Sequence, residues 1–287
     1  MPEQTRRERT AAQRAMYRRR RIVVFGGVAV VIVVIVIMLV SLLTPKPPGG
    51  PSPSPSSSPA PSPTPSGSPS PKPTASKTPS PEPTPSFDKT AHSIDNADSI
   101  WVVVNKLRAL DPIDYAPDDL VYPDVVNINN QPMRQQTADA LVTMFDAAAA
   151  DDIGLTVQSA YRSYATQVSV YAGWVDSEGQ EAADLTSARP GHSEHQTGLA
   201  VDVSGSSGEC SLQICFGGTV YGKWLAENSW KYGFIVRYPD GFTDVTGYEY
   251  EGYHMRFVGI TLATEMHDTK VPTLEQFFDL PDAPSYE

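Results

Sequence analysis

Arg189-Pro190-Gly191-His192-Ser193-Glu194-His195-Gln196-Thr197-Gly198-Leu199-Ala200-Val201-Asp202-Val203 is the stretch on which the reading of this chain turns. Its first half is a polar loop bounded by glycines. Its second half alternates, and with a period of two Leu199, Val201 and Val203 share one face of a strand while Ala200 and Asp202 share the other. Asp202 thus projects from a strand whose back belongs to a core, and small Ala200 leaves room beside it. His195 stands seven residues earlier in the loop. A neutral imidazole and a carboxylate brought to one point are good ligands for Zn2+, which at catalytic sites takes three protein ligands and keeps one position open. The stretch alone also fits an acidic strand end with a surface histidine nearby, so a third ligand is needed.

Tyr250-Glu251-Gly252-Tyr253-His254-Met255-Arg256-Phe257-Val258-Gly259 supplies a candidate. A carboxylate three residues before a histidine suits a base beside a ligand, because a metal-activated water needs an acceptor for its proton; alone, the motif equally fits an exposed acid beside a half-buried histidine. On a regular strand residues i and i+3 face opposite sides. Glu251 is therefore expected on a turn and His254 on a strand, with a bend or bulge at Gly252 between them.

Between and before these stretches the pattern mixes helices and short strands without βαβ spacing, which predicts an α+β fold. A helical stripe is expected over Ile94–Leu110, a short strand over Val125–Ile128, and a helix over Pro132–Ala150 with Pro132 in its first turn. A strand is expected over Leu155–Tyr161 and a helix over Tyr164–Trp174, leaving Arg162 and Ser163 at the junction, where binding residues are commonly held. Further on, a helix is expected over Val220–Trp230, strands over Phe234–Val236 and Tyr253–Val258, and two short helices over Ile260–His267 and Thr273–Leu280. Cys210 and Cys215, the only cysteines, predict a disulfide worth about 2 kcal/mol for so short a loop.

The N-terminal third is of another kind. Residues 1–21 hold eight arginines against Glu3 and Glu8, and Ile22–Leu43 carries no charge at all. At 1.5 Å per residue that run reaches about 33 Å, enough for one transmembrane helix. The arginine block before it predicts a cytoplasmic N-terminus and an extracytoplasmic remainder. Residues 44–86 contain 17 of the 27 prolines, predicting a disordered Pro/Ser/Thr-rich linker biased to polyproline II. One globular domain is expected over 87–287. It carries 11 Lys and Arg against 30 Asp and Glu, a balance that offers no footprint for nucleic acid.

The paired motifs, Ser193-x-His195-x-x-Gly198-x-Ala200-x-Asp202 followed by Glu251-x-x-His254, resemble the zinc site of the VanY-type D-alanyl-D-alanine carboxypeptidases, zinc peptidases that share their fold with hedgehog signalling domains. The resemblance extends to Ser159–Gln167 and Asn228–Pro239 and covers roughly residues 130–265. Tyr253 departs from it, since the family more often has tryptophan there. The resemblance implies that His195, Asp202 and His254 bind Zn2+, that Glu251 is the general base, and that Arg162 stabilises the developing oxyanion. It implies substrate contacts for Ser193 and Gln167, the latter also readable as a surface helix residue. His192 is read as a neighbour of the site or a surface residue rather than a fourth ligand, and His92 and His267 as surface residues.

The function so implied is a membrane-anchored, extracytoplasmic zinc carboxypeptidase that removes C-terminal D-alanine from peptidoglycan stem peptides. The alternatives are an L,D-carboxypeptidase or endopeptidase of the same fold, and a catalytically silent domain that binds wall peptides.

Overall fold

The computed structural model describes residues 87–286. The expected Arg-rich tail 1–21, membrane span 22–43 and linker 44–86 lie outside the described residues, among which no helix is long and apolar enough to cross a membrane. The chain runs β1 (Leu120–Val121), β2 (Met133–Arg134), α1 (Gln135–Ala150), β3 (Leu155–Ser159), α2 (Tyr164–Glu178), α3 (Gln180–Thr186), β4 (Ala200–Gly205), α4 (Val220–Asn228), β5 (Phe234–Tyr238), α5 (Thr243–Thr246), β6 (Glu251–Phe257), α6 (Ile260–Thr269) and α7 (Leu274–Phe277). This is an α+β architecture. Its centre is an antiparallel sheet in the order β3-β4-β6-β5, and β1 and β2 form a separate pair.

The two faces of that sheet differ in chemistry, as the alternation of β4 requires. Val201 and Val203, with Met255 and Phe257 of β6 and Phe234 of β5, join one apolar core. Against it α1 buries Ala138, Leu141, Met144, Phe145 and Ala148, a stripe at three- and four-residue spacing. Fully burying a Leu, Met or Phe contributes about 1.5–3 kcal/mol each, so this contact fixes which way the sheet faces. The opposite face carries Asp202, His254 and Arg256. Asp202 lies directly across from His254 in the β4–β6 register.

Several expectations are corrected. Ile94–Leu110 forms turns and extended chain with one isolated bridge, Asn105 to Arg108, and no helix. The reason lies in where its apolar residues go: Val102 and Val104 enter the sheet core, while Trp101 and Val103 enter a second core with Leu262, Leu274 and Phe277. A segment lodged between two cores alternates like a strand, and its β-branched run favours that conformation. Val125–Ile128 reduces to a single bridge from Asn127 to Val157. The helix expected from Pro132 starts at Gln135, because Met133 and Arg134 pair with β1. The helix expected to end at Trp174 runs on to Glu178. Cys210 and Cys215 are disulfide-bonded.

Candidate metal centre

Three elements deliver the donors. His195 sits on a 3-10 turn, Glu194–Thr197, closed by Thr197 Oγ1 donating to Glu194 O (2.6 Å) and accepting from Leu199 N (3.1 Å). Gly198 ends the turn at φ 68°, and a Cβ there would come within 2.8 Å of Arg134 Cγ. A left-handed conformation in so close a contact admits glycine alone without strain. His195 Nε2 lies 3.2 Å from Asp202 Oδ2, and His254 Nδ1 lies 2.9 Å from Asp202 Oδ1. One donor atom from each of these buried residues falls within 4.8 Å of the others. His195 Nδ1 is 2.7 Å from Ala160 O. A carbonyl only accepts, so Nδ1 carries the proton and Nε2 keeps its lone pair for the site.

Glu251 is the first residue of β6, not part of a turn as expected. It nevertheless reaches the His254 side, because the β5–β6 pairing sets Val236 opposite Met255 and Tyr238 opposite Glu251. Two steps on β5 thus span four on β6, and the bend in between makes up the missing half-period. Gly252 occupies that bend, where a Cβ would meet Tyr250 Oη at 2.6 Å. Glu251 Oε2 ends 3.6 Å from His254 Nδ1. Burial, with the nearby Asp202 carboxylate adding to it, pushes the Glu251 carboxyl up to about 8, although His254 and Arg162 pull the other way.

Arg162 follows β3 and precedes α2, whose N-terminus is capped by Ser163 Oγ accepting from Thr166 N (3.2 Å). Its guanidinium donates to Gln167 Oε1 (2.8 Å) and Ser159 Oγ (3.2 Å). Arg162 and Ser193 line a cleft of about 160 Å3 with the three donors and Glu251. Gln167 is a correction. It is wholly buried, and its amide nitrogen donates to Ala188 O (2.6 Å) and Ser187 Oγ (3.3 Å) while its oxygen takes the Arg162 bond. Both ends of the amide are engaged within the protein, so it holds Arg162 rather than a substrate. His192 is half-buried with Nδ1 2.8 Å from Asn105 O, away from the three donors. His92 and His267 are exposed and pack on Trp101 and Trp230.

The family profile described as VanY, D-alanyl-D-alanine carboxypeptidase, matches residues 130–260. Putative carboxypeptidase YodJ of Bacillus subtilis (strain 168) is 44% identical over 192 residues, which span 65% of this chain and 70% of YodJ. This chain belongs to the VanY-type carboxypeptidase family. The solved structure of the LdcB LD-carboxypeptidase superposes with a TM-score of 0.60 at 44% identity, covering 64% of this chain and 87% of that one. A zinc complex of the vancomycin-resistance D,D-pentapeptidase VanY superposes with a TM-score of 0.52 at 30% identity, covering 61% and 97%. The chain is a zinc metallopeptidase, and its fold is that of these enzymes.

The residues fit the ion. Two imidazoles and one carboxylate are a usual zinc donor set. The charge of the centre makes the same case: burial works against a charged His254, yet Asp202 and Glu194 together push it up to about 10. Burial likewise opposes a charged Asp202, but His195 and His254 hold its carboxyl well below the usual range. A cluster that draws in positive charge so strongly suits a divalent cation.

Sequence reasoning passed over the residues around these donors. Tyr238 and Tyr248 wall the cleft, the Tyr238 ring centre lying 4.9 Å from that of His254. Glu194, Arg237, Arg256 and Glu275 form a buried ion-pair network behind it. One signal was present: Arg256 lies two residues after His254 and therefore on the same strand face.

Proposed function

We propose that this chain is a membrane-anchored zinc carboxypeptidase that removes the C-terminal D-alanine of peptidoglycan stem peptides. The observation carrying this reading is the convergence of His195, Asp202, His254, Glu251 and Arg162 on one small cleft. At about 160 Å3 the cleft is well below the roughly 300–1,000 Å3 of sites for larger ligands, which suits a terminal alanine. Its walls at Ala188 and Tyr248 are backed by the C-terminal tail, where Tyr286 Oη accepts from Arg189 N (2.8 Å) and lies 3.1 Å from Tyr248 Oη. Trp174, Leu212 and Tyr253 also line an adjoining groove of about 490 Å3, room for the rest of the stem. A cleft this small, backed on one side by the C-terminal tail, supports an exopeptidase over an endopeptidase.

Zn2+ held by His195, Asp202 and His254 supplies Lewis acidity toward the scissile carbonyl and makes water at the site easier to deprotonate. Glu251 accepts the proton of the attacking water and passes it to the amine nitrogen as the C–N bond breaks. The Arg162 guanidinium, held by Gln167 and Ser159, offers fixed donors to the carbonyl oxygen as its charge grows.

A second reading, hydrolysis of an L,D bond, is favoured by the higher identity to LdcB than to the D,D-pentapeptidase. Membrane anchoring is supported by the uncharged run Ile22–Leu43 behind the arginine block. The zinc-loaded full chain incubated with synthetic penta- and tetrapeptide stems is expected to release D-alanine, followed by mass spectrometry. Release from the pentapeptide assigns the D,D bond and release from the tetrapeptide the L,D bond; release from neither refutes the proposal. Anchoring predicts recovery of the chain in the membrane fraction, lost when residues 1–43 are deleted.

A further inference from the structure

Glu194, between the substrate-side Ser193 and the ligand His195, is fully buried and points back toward the second ligand histidine. Its Oε1 accepts from Arg237 Nε (2.8 Å) and Arg256 Nη1 (2.7 Å). Those arginines are themselves fixed. Arg237 Nη1 and Nη2 donate to Glu275 (2.9 and 2.7 Å), whose Oε1 also accepts from Asn105 Nδ2 (2.9 Å). Arg256 Nη2 donates to Ile100 O (3.1 Å) and Val102 O (2.8 Å), and its Nε to Phe257 O (3.0 Å). Two arginines therefore balance two glutamates, and one oxygen of Glu194 is clamped.

The other oxygen faces His254. Glu194 Oε2 and His254 Nε2 are both buried without a hydrogen-bond partner among the described residues, and they lie 3.6 Å apart. A buried carboxylate oxygen and a buried ring nitrogen with nothing else to bond are each costly left alone, and a shift of about half an ångström lets the nitrogen donate to the oxygen. We propose that Glu194 is a positioning residue: by accepting the Nε2 proton of His254 it fixes the tautomer whose lone pair is on Nδ1, and so selects Nδ1 as the zinc-ligating nitrogen. An outer carboxylate that fixes a ligand histidine in this way raises its basicity toward the metal. This inference rests on the zinc centre described above.

Glu194→Gln tests it sharply, since the two arginines require an acceptor and hold the amide oxygen. The amide NH2 then faces His254 Nε2, which becomes an acceptor, and the imidazole proton moves to Nδ1, where it competes with zinc. Glu275→Gln is the control, because it disturbs the same buried arginine without facing His254. Zinc affinity of the full chain, measured by competition with a chromophoric chelator, is expected to fall about 10- to 100-fold in Glu194→Gln and to stay within about threefold of wild type in Glu275→Gln. Equal affinities in the two variants overturn the proposal, since a purely structural role affects both alike. Should Glu194→Gln show no cooperative melt, the 15N-histidine spectrum of the zinc-loaded wild-type chain decides: a proton on His254 Nε2 supports the proposal and a proton on Nδ1 overturns it. Failure of the wild-type chain to bind zinc refutes the metal centre itself, a result distinct from unchanged affinity in Glu194→Gln.

Discussion

Replacing Glu251 with glutamine separates two consequences of one buried carboxylate. The side chain contributes no atom to the three-donor cluster, so the zinc affinity of Glu251→Gln should stay near that of wild type. The amide cannot take a proton from water, and loss of a positioned general base costs about 10²–10⁴ in rate, or roughly 3–5 kcal/mol of barrier. The fall should appear in kcat, with KM little changed, in an assay of D-alanine release. Stability of the metal-free chain should move the other way. Burial sets the folded carboxyl at about 8 against an ordinary 4.5, so between those pH values the folded chain holds a proton that the unfolded chain has released. The stabilising contribution of the protonated form is thus complete below pH 4.5 and is lost as the pH rises through about 8. Glu251→Gln has no such loss. Urea melts of the metal-free proteins should show the variant gaining a few kcal/mol on wild type between pH 5 and about 9, in a window where its activity is almost gone. Activity within threefold of wild type, or the same pH dependence of stability in both proteins, would refute the reasoning.

Arg162→Ala should lower kcat about 10²–10³-fold with zinc retained. Gln167→Ala should lower it less, because it frees the guanidinium without removing it, and the comparison is made by steady-state kinetics. Gly198→Ala imposes a left-handed alanine against Arg134 and should cost at least about 1 kcal/mol, read as a lower Tm. In acid, burial opposes ionisation of Glu275, but Arg237 and Asn105 hold its carboxyl below the usual range. Its contribution is present above about pH 4.5 and disappears as the pH falls through the lower folded value, so the Tm of wild type should drop more steeply below pH 4 than that of Glu275→Gln.

The donors were legible in the sequence because two physical periods coincide there. The alternation Leu199–Val203 fixes the face of Asp202, and the spacing of Glu251 and His254 around Gly252 calls for the irregular pairing that β5 and β6 show. The same rule misled over Ile94–Leu110, where apolar residues at helical spacing serve two cores from an extended segment. Gln167 was misread because an amide close to Arg162 in sequence suits either a substrate or the arginine, and only packing against Ala188 and Ser187 decides. The ion-pair network was hidden for another reason. Glu194, Arg237, Arg256 and Glu275 are scattered along the chain, and their charges become partners only after the polar sheet face has been folded over by the turn at His195 and by α7.

The central claim is that His195, Asp202 and His254 hold one zinc ion beside Glu251. A crystal of the zinc-loaded chain, with anomalous scattering recorded on either side of the zinc absorption edge, measures this directly. One zinc peak within about 2.0–2.2 Å of His195 Nε2, an Asp202 carboxylate oxygen and His254 Nδ1 is the predicted result. A peak placed elsewhere, or one bonded to His254 through Nε2, would contradict it.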